Sequence, residues 1–273
     1  MSKKSWTRQI FDAQKTLTRA YQAEVKKGFS LDLQEITPNR HDPKLAATGQ
    51  AFQDMMNHQL CKKYCRSKKI GLYLNTVLDG RLENNPQKTP LTFGTKVIEI
   101  PDEILQFLSI KELKAVVGHE IGHVLRQDLH PKRGILHGLH RGKRSETMSD
   151  EIAVVLSEEP EALISAIEKI NAFQAQQLEA ARKWRRLSNP QGEVIEKWIT
   201  EKLKWIANFL SPYPDFEERK KAILETAERM KDPQEKKKLL EEIDEALSAE
   251  HKKLFPAQFK RKMDNTRIPG GIG

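Results

Sequence analysis

Two histidines four positions apart, with a glutamate directly after the first, are the residues of this chain best suited to chemistry. They lie in the stretch Val116-Val117-Gly118-His119-Glu120-Ile121-Gly122-His123-Val124-Leu125. On a helix, residues i and i+4 lie one above the other about 6 Å apart, so His119 and His123 can bind one tetrahedral metal ion through neutral imidazole nitrogens. Glu120 lies about 100° further round the helix, where it can reach a water molecule on that ion but is a poor third ligand. The spacing therefore predicts metal-assisted hydrolysis, an arrangement typical of zinc proteases.

The residues before the motif predict the helix that carries it. Ser109-Ile110-Lys111-Glu112 is a capping box, in which Ser109 accepts from the backbone of Glu112 and the Glu112 side chain reaches back. We therefore expect a helix from Ser109 to about Gln127. The helix is apolar on both sides of the motif, which predicts burial, and Gly118 and Gly122 allow another element or a substrate to approach closely.

Two histidines do not complete a catalytic zinc site, because three protein ligands with water in the fourth position are usual. The metzincin spacing requires a glycine three residues after the second histidine and a histidine three further on, but Arg126 and Leu129 occupy these positions, and His130 is displaced by one. Glu146 is the better candidate if it lies on a second helix. Asp150 follows one turn later on the same face and is suited to orienting a metal-bound histidine.

The remaining pattern predicts an α+β fold that is mostly helical. Helices are expected over 4–27, 44–66, 145–156, 160–187, 192–210, 215–230 and 233–253, and strands over 70–78, 91–93 and 96–100. We expect the strands to form a small antiparallel sheet packed on the helix that carries the HExxH motif, with a free edge that holds an extended protein or peptide substrate. Residues 129–144, with glycines at 134, 138 and 142 among basic residues, are expected to form a mobile loop near the site.

Composition sets the broad class of the protein. The 273 residues are 38% hydrophobic and 31% charged, and no run of 18 apolar residues occurs, so no transmembrane segment is expected. No signal peptide is seen at the basic start, and the two cysteines, Cys61 and Cys65, imply no disulfide framework, which favours the cytoplasm or another reducing compartment. The net charge of +9 admits a nucleic-acid partner, but a basic solvated surface is favoured because basic and aromatic residues are not interleaved.

The motifs in their order resemble the M48 metallopeptidases, the gluzincins that include the HtpX, Ste24 and Oma1 groups. The resemblance rests on His119-Glu120-Ile121-Gly122-His123, on Glu146-x-x-x-Asp150-x-x-Ala153 and on Tyr213-Pro214-Asp215-Phe216-Glu217-Glu218-Arg219, and it spans about 70–230. It implies a zincin-like domain over 69–231. Outside the resemblance, we expect a helical extension over 1–68 that packs on this domain, and a C-terminal helix and disordered tail over 232–273. The chain has no predicted membrane-spanning helix, and in this respect it resembles the minimal, soluble members of the family.

The resemblance also implies the site residues of a zinc endopeptidase. One Zn²⁺ would be bound by His119, His123 and Glu146, and Glu120 would be the general base that activates zinc-bound water. Asp150 would orient a metal-bound histidine, and Arg219 would pair with Asp150 or with a nearby acid. Tyr213 stands where the family usually has histidine, and its hydroxyl is the candidate to stabilise the oxyanion, against the alternative of a packing tyrosine.

Two alternatives remain open from the sequence. His137 follows His123 by fourteen residues, a spacing that resembles the SprT-like proteases that act on DNA-bound proteins, with His137 as third ligand. The other alternative is a zinc-stabilised helical module that binds a partner without catalysis, for which replacement of Glu120 would change nothing measurable.

Overall fold

A computed structural model describes residues 32–65, 70–76, 91–93, 97–128, 134–188 and 215–256. The strands are β1 (Asp32–Glu35), β2 (Gly71–Thr76), β3 (Leu91–Phe93) and β4 (Val97–Pro101). The helices are α1 (Pro43–Met56), α2 (Gln59–Tyr64), α3 (Asp102–Phe107), α4 (Ile110–Arg126), α5 (Gly134–Ser157), α6 (Pro160–Ser188), α7 (Phe216–Lys231) and α8 (Pro233–Leu254). The predicted helices 4–27 and 192–210 lie outside the described residues.

The four described strands form one mixed sheet in the order β1-β2-β4-β3. β1 pairs antiparallel with β2, β3 pairs antiparallel with β4, and the central pair β2 and β4 is parallel, with Leu72 opposite Ile98. The expectation of an antiparallel sheet was therefore wrong at the central pair. The reason is that β3 does not lie beside β2: β4 turns back from β3 and takes the place between them.

Helix α4 lies at the centre of the core. The sheet residues Leu72, Ile98 and Ile100 are at most 1% exposed and belong to one hydrophobic cluster with apolar residues of α4. A second cluster joins α4 to α5, α6 and α7. Its buried members are Ala115, Ala153, Val154, Leu163, Ile167 and Ile223. Burial on all sides fixes α4 in position and makes it a rigid platform for the motif.

The local signals that predicted α4 are confirmed. The Ser109 hydroxyl accepts from the Glu112 backbone, and the Glu112 carboxylate accepts from the Ser109 backbone N–H at 2.6 Å. Pro160 begins α6, and Asp232 caps α8 by accepting from the backbone of Gln234 and Glu235. These helices start where their capping chemistry predicts.

Two helix predictions need correction. The single helix expected over 44–66 is divided, because His58 takes an extended conformation and caps α2 through its ring nitrogen. The loop expected over 129–144 is helical from Gly134, so α5 begins eleven residues before Ser145. A glycine in a helix interior lowers helix stability by about 1 kcal/mol. Extension of an existing helix offsets this cost, because backbone groups that would end the helix unpaired form hydrogen bonds within it.

The N-terminal and C-terminal segments both contact the central elements. β1 belongs to the same sheet as β4, and α1 packs on α4. The ring of His251 on α8 is buried and contacts the carbonyl of Leu125 at 2.7 Å. The domain boundaries at 68/69 and 231/232 stay predictions. Among the described residues, no helix is long and apolar enough to cross a membrane.

Candidate metal centre

The two motif histidines project from the buried helix α4 toward one point. Their Nε2 atoms lie 3.0 Å apart, and the rings meet edge to face with centroids 4.7 Å apart. This is the juxtaposition expected of positions i and i+4 on one helical face. The ring nitrogens on the opposite side, the Nδ1 atoms, point away from the shared point and toward carboxylates.

Glu146 on α5 completes a group of three ligand atoms. Its Oε2 lies 3.4 Å from Nε2 of His119, and its Oε1 lies 3.5 Å from Nε2 of His123. One ligand atom from each residue lies within 4.8 Å of the others, so the group could hold a metal ion. The side chains of His119, His123 and Glu146 are 11%, 16% and 11% exposed, so the group is not completely closed to solvent.

Glu146 reaches the histidines because α4 and α5 pack unusually closely. A Cβ atom at Gly122 would lie 2.8 Å from Cα of Ser149, and a Cβ atom at Gly118 would lie 3.2 Å from Cα of Ala153. The two glycines of the motif therefore allow the backbone of α5 to lie against that of α4. The sequence predicted a close approach here, and the element that approaches is the one that carries Glu146.

The three donor side chains, taken with the nearer oxygen of Glu146 to each histidine, fit a tetrahedral zinc ion. Zinc binds imidazole nitrogen and carboxylate oxygen at about 2.0–2.2 Å, so two ligands of a tetrahedral ion stand about 3.3 Å apart. The observed separations of 3.0, 3.4 and 3.5 Å lie close to that value. Two imidazoles and one carboxylate, with an open side, are the donor set of catalytic rather than structural zinc sites.

Asp150 and Arg219 lie behind His119. Oδ1 of Asp150 lies 2.8 Å from Nδ1 of His119, and the Arg219 guanidinium donates to both Asp150 oxygens at 2.7 and 2.8 Å. Arg219 also lies 3.7 Å from Glu146. Its position follows from local sequence, because Asp215 caps α7 by accepting from the Glu218 backbone and so places Arg219 in the first turn.

The site strongly perturbs the protonation of its own groups. Burial alone would lower the pKa of His119, but its bonds to Asp150 and Glu146 raise that pKa to about 10. Burial raises the pKa of Glu146, yet His119, His123 and Arg219 outweigh it and hold the pKa at about 2. The pKa of Asp150 is likewise lowered against burial, chiefly by Arg219 and His119. Each carboxylate is therefore ionised, as a metal ligand or its partner must be.

Sequence reasoning missed the groups behind His123. Oδ2 of Asp128 lies 2.9 Å from Nδ1 of His123, and the Ser149 hydroxyl lies 3.3 Å from the same nitrogen. Asp128 also accepts from Arg126 and from the Ser145 hydroxyl. Asp128 lies beyond the end of α4, where helical periodicity no longer indicates which side chains meet.

The other predicted residues are placed as follows. Glu120 is 6% exposed. Against burial, the pKa of His123 is raised chiefly by Asp128 and that of Arg219 chiefly by Asp150, and Glu120 adds a smaller contribution to both. Tyr213 lies outside the described residues. His137 lies on α5 nine positions before Glu146, which is about 13 Å along the axis of a straight helix at 1.5 Å per residue. This separation favours Glu146 over His137 as the residue that shares an ion with the α4 histidines.

Comparison with known proteins supports the same class of site. Residues 92–141 match the family model described as Peptidase family M48, a stretch that contains His119, Glu120 and His123 and ends before Glu146. The match confirms, at the level of the family, the resemblance predicted from the motifs. No curated protein and no solved structure matches the chain.

Proposed function

Starting from the M48 metallopeptidase family indicated by residues 92–141, we propose that this chain is a zinc-dependent endopeptidase. His119, His123 and Glu146 would hold the ion. The observation that carries the proposal is the convergence of the two Nε2 atoms, 3.0 Å apart, with the Glu146 carboxylate, whose Oε2 lies 3.4 Å from His119 and whose Oε1 lies 3.5 Å from His123. These separations are close to those between two ligands of a tetrahedral ion. The matched stretch supplies the two histidines, and the packing of α5 on α4 supplies the third ligand.

The chemistry divides between the ion and the chain. Zinc, when bound, makes water more acidic and polarises the scissile carbonyl. Glu120 directly follows His119, lies about 100° further round the helix and would carry the carboxylate for proton transfer. It accepts a proton from the attacking water and returns it to the leaving amine, a role for which positioned carboxylates contribute about 10²- to 10⁴-fold.

Asp150 and Arg219 prepare His119 for this role. Asp150 lies where its carboxylate would accept the Nδ1–H of His119, which would leave the Nε2 lone pair available to an ion. Arg219 binds Asp150 through two hydrogen bonds and lies beside Glu146, so that its positive charge offsets the two buried carboxylates. We further propose Tyr213, which precedes α7 by three residues, as the donor that stabilises the tetrahedral oxyanion.

The substrate in this proposal is a protein or peptide held in extended form. β1 and β3 are the edges of the described sheet, and β3 is the edge that contacts α4, the helix of the site. An extended peptide that pairs with the outer side of β3 would gain backbone hydrogen bonds while its scissile bond lies beside His119 and Glu120.

The Glu120→Gln variant tests the proposal. With the zinc-loaded native chain and a proteome-derived peptide mixture, we expect defined cleavage sites in mass spectra, and we expect Glu120→Gln to lower the cleavage rate at least about 100-fold. Zinc content and the unfolding midpoint should be unchanged. The exposed Glu225 on α7, replaced by Gln, is the matched control and should retain the native rate. Cleavage by Glu120→Gln at the native rate, or none by the zinc-loaded native chain, would favour the non-catalytic binding module instead.

A further inference from the structure

The chain reverses direction directly after the metal-site helix. Gln127 has φ 58° and ψ 40°, a left-handed conformation that residues other than glycine, asparagine and aspartate seldom adopt. Two hydrogen bonds hold this conformation. The side-chain amide of Gln127 donates to the Val124 carbonyl at 2.7 Å, and the backbone N–H of Asp128 donates to the His123 carbonyl at 3.1 Å. This turn returns Asp128 to the level of His123.

Asp128 meets the side of the His123 ring that faces away from the other ligands. Its Oδ2 lies 2.9 Å from Nδ1 of His123, whereas Nε2 of the same ring faces His119 and Glu146. An imidazole that donates its Nδ1–H to a carboxylate keeps a lone pair on Nε2 and has its ring plane fixed. Such a contact therefore selects the tautomer and orientation that a metal ligand needs.

Asp128 is itself held in a fixed orientation. Nε of the buried Arg126 lies 3.2 Å from Oδ1 and 3.1 Å from Oδ2 of Asp128. The hydroxyl of Ser145, on α5, donates to Oδ2 of Asp128 at 2.6 Å. Ser145 immediately precedes Glu146, so this contact also ties α5 to the end of α4 beside the third ligand. The arrangement parallels the Arg219–Asp150–His119 chain on the other side.

We propose that Asp128 is a second positioning carboxylate of the centre, which fixes His123 with Nε2 directed at the ion as Asp150 does for His119. The proposal rests on the zinc site proposed above. Ser149, whose hydroxyl lies 3.3 Å from the same Nδ1 atom, is the minor partner because its contact is longer and uncharged.

The zinc affinity of the full chain, measured by competition with a chromophoric chelator, tests this role. Asp128→Asn should weaken zinc binding about 10- to 100-fold, as is usual for a carboxylate that orients a metal-bound histidine. Ser149→Ala should weaken it less than about threefold, far short of the loss of such a carboxylate. Asp244→Asn is the control: this aspartate on α8 accepts from the Tyr64 hydroxyl and pairs with Lys63, and zinc affinity should not change.

A spectroscopic readout separates positioning from general structure. In the zinc-loaded native chain with ¹⁵N-labelled histidine, His123 should show metal-bound Nε2 and a protonated Nδ1 with a downfield proton. Asp128→Asn should move that signal and leave the corresponding signal of His119 in place. Because the native measurement needs no variant, it decides even if Asp128→Asn fails to fold: a native His123 without a protonated Nδ1 overturns the proposal.

The outcomes also separate this inference from the zinc site itself. A native chain that binds no zinc overturns both proposals. A native chain that binds zinc through His119, His123 and Glu146, with unchanged affinity and His123 signals in folded Asp128→Asn, overturns the positioning role alone.

Discussion

Helix α4 carries a buried polar cluster at each end, and the two clusters are built on opposite chemical rules. At its start, the Glu112 carboxylate is surrounded by donors: the Ser109 backbone N–H at 2.6 Å, the Ser165 hydroxyl at 2.6 Å and the Lys169 ammonium at 2.7 Å. Near its end, the Nε2 atoms of His119 and His123 lie 3.0 Å apart, and the two oxygens of the Glu146 carboxylate lie 3.4 and 3.5 Å from them.

The difference lies in which atoms face inward. Around Glu112 every acceptor meets a donor, so the cluster is complete within the protein and stabilises the junction of α4 with α6. In the other cluster the Nδ1 atoms are already taken by Asp150 and Asp128, and the two Nε2 atoms and the Glu146 carboxylate, all potential metal ligands, face one another. A proton or a cation is needed between acceptor atoms that face one another, so this end of the helix could hold a metal ion.

The largest expected effect comes from removing one of the converging groups. Glu146→Ala should lower zinc affinity by more than about 100-fold, beyond the loss typical of groups behind the ligands, because a direct ligand disappears. Glu112→Gln, a change at the other end of the same helix, should leave zinc affinity unchanged although it lowers stability. Metal content and chelator competition measure both variants.

His137→Ala distinguishes the two candidate ligand sets in the same experiment. We expect zinc affinity to be unchanged, because His137 lies far from Glu146 along α5. If His137→Ala removes the metal and Glu146→Ala does not, the arrangement with His137 as third ligand is correct, and the contrast between the two ends of α4 loses its basis.

The next effect concerns the stability of the Glu112 cluster as a function of pH. Burial raises the pKa of Glu112, but Lys169, the Ser109 backbone and Ser165 outweigh it and lower the pKa from 4.5 to about 2. A carboxylate with a lowered pKa in the folded state stabilises the fold above its unfolded pKa, and this stability is lost as pH falls from about 4.5 to about 2. A shift of this size corresponds to about 3 kcal/mol at neutral pH.

Urea unfolding of the metal-free chain between pH 2 and 6 measures this contribution. The free energy of unfolding of the native chain should fall more steeply below about pH 4.5 than that of Glu112→Gln, with the difference near 3 kcal/mol at pH 6 and small at pH 2. Glu225→Gln is the control, because the Glu225 carboxylate is 65% exposed and lies 3.8 Å from Lys221. Parallel curves for the native chain and Glu112→Gln would show that the cluster contributes little through its charge.

The sequence predicted those parts of the structure that short-range rules determine. The helix start at Ser109, the position of Pro160 and the facing of His119 and His123 all depend on residues within four positions of one another, and all are confirmed. Glu146 was a candidate third ligand from its expected place on a second helix, and the motif resemblance strengthened that prediction, but no short-range rule linked it to the histidines. The physical basis of this link, the close packing at Gly122, was partly visible in the sequence, since two glycines on one helical face permit such an approach.

Features that depend on distant or non-periodic contacts were not predictable in the same way. β1 consists of Asp-Leu-Gln-Glu, with one apolar side chain, and pairs as an edge strand that no local pattern indicates. The parallel pairing of β2 with β4 is decided by where β4 inserts, not by either strand. Asp128 reaches His123 through a left-handed turn at Gln127, a residue type that seldom marks such a turn.

The smallest expected effect tests whether close helix packing sets the ligand geometry. A Cβ atom at Gly122 would lie 2.8 Å from Cα of Ser149, a distance that real Cβ atoms essentially never show. Gly122→Ala must therefore push α5 away from α4. Overpacking of this kind costs about 1–3 kcal/mol. Since α5 carries Glu146, the shift should also weaken zinc binding, by about tenfold if roughly 1.4 kcal/mol of that cost falls on the site.

Gly118→Ala is the graded control for this packing. Its Cβ atom would lie 3.2 Å from Ala153 Cα, a tighter contact than usual that a movement of a few tenths of an ångström relieves. Because this contact lies one turn further from Glu146, Gly118→Ala should cost less stability than Gly122→Ala and should change zinc affinity less. If both variants lose stability equally and keep native zinc affinity, the close packing of α4 and α5 does not set the position of Glu146. The contacts of Arg219 and Asp150 would then hold the ligand set instead.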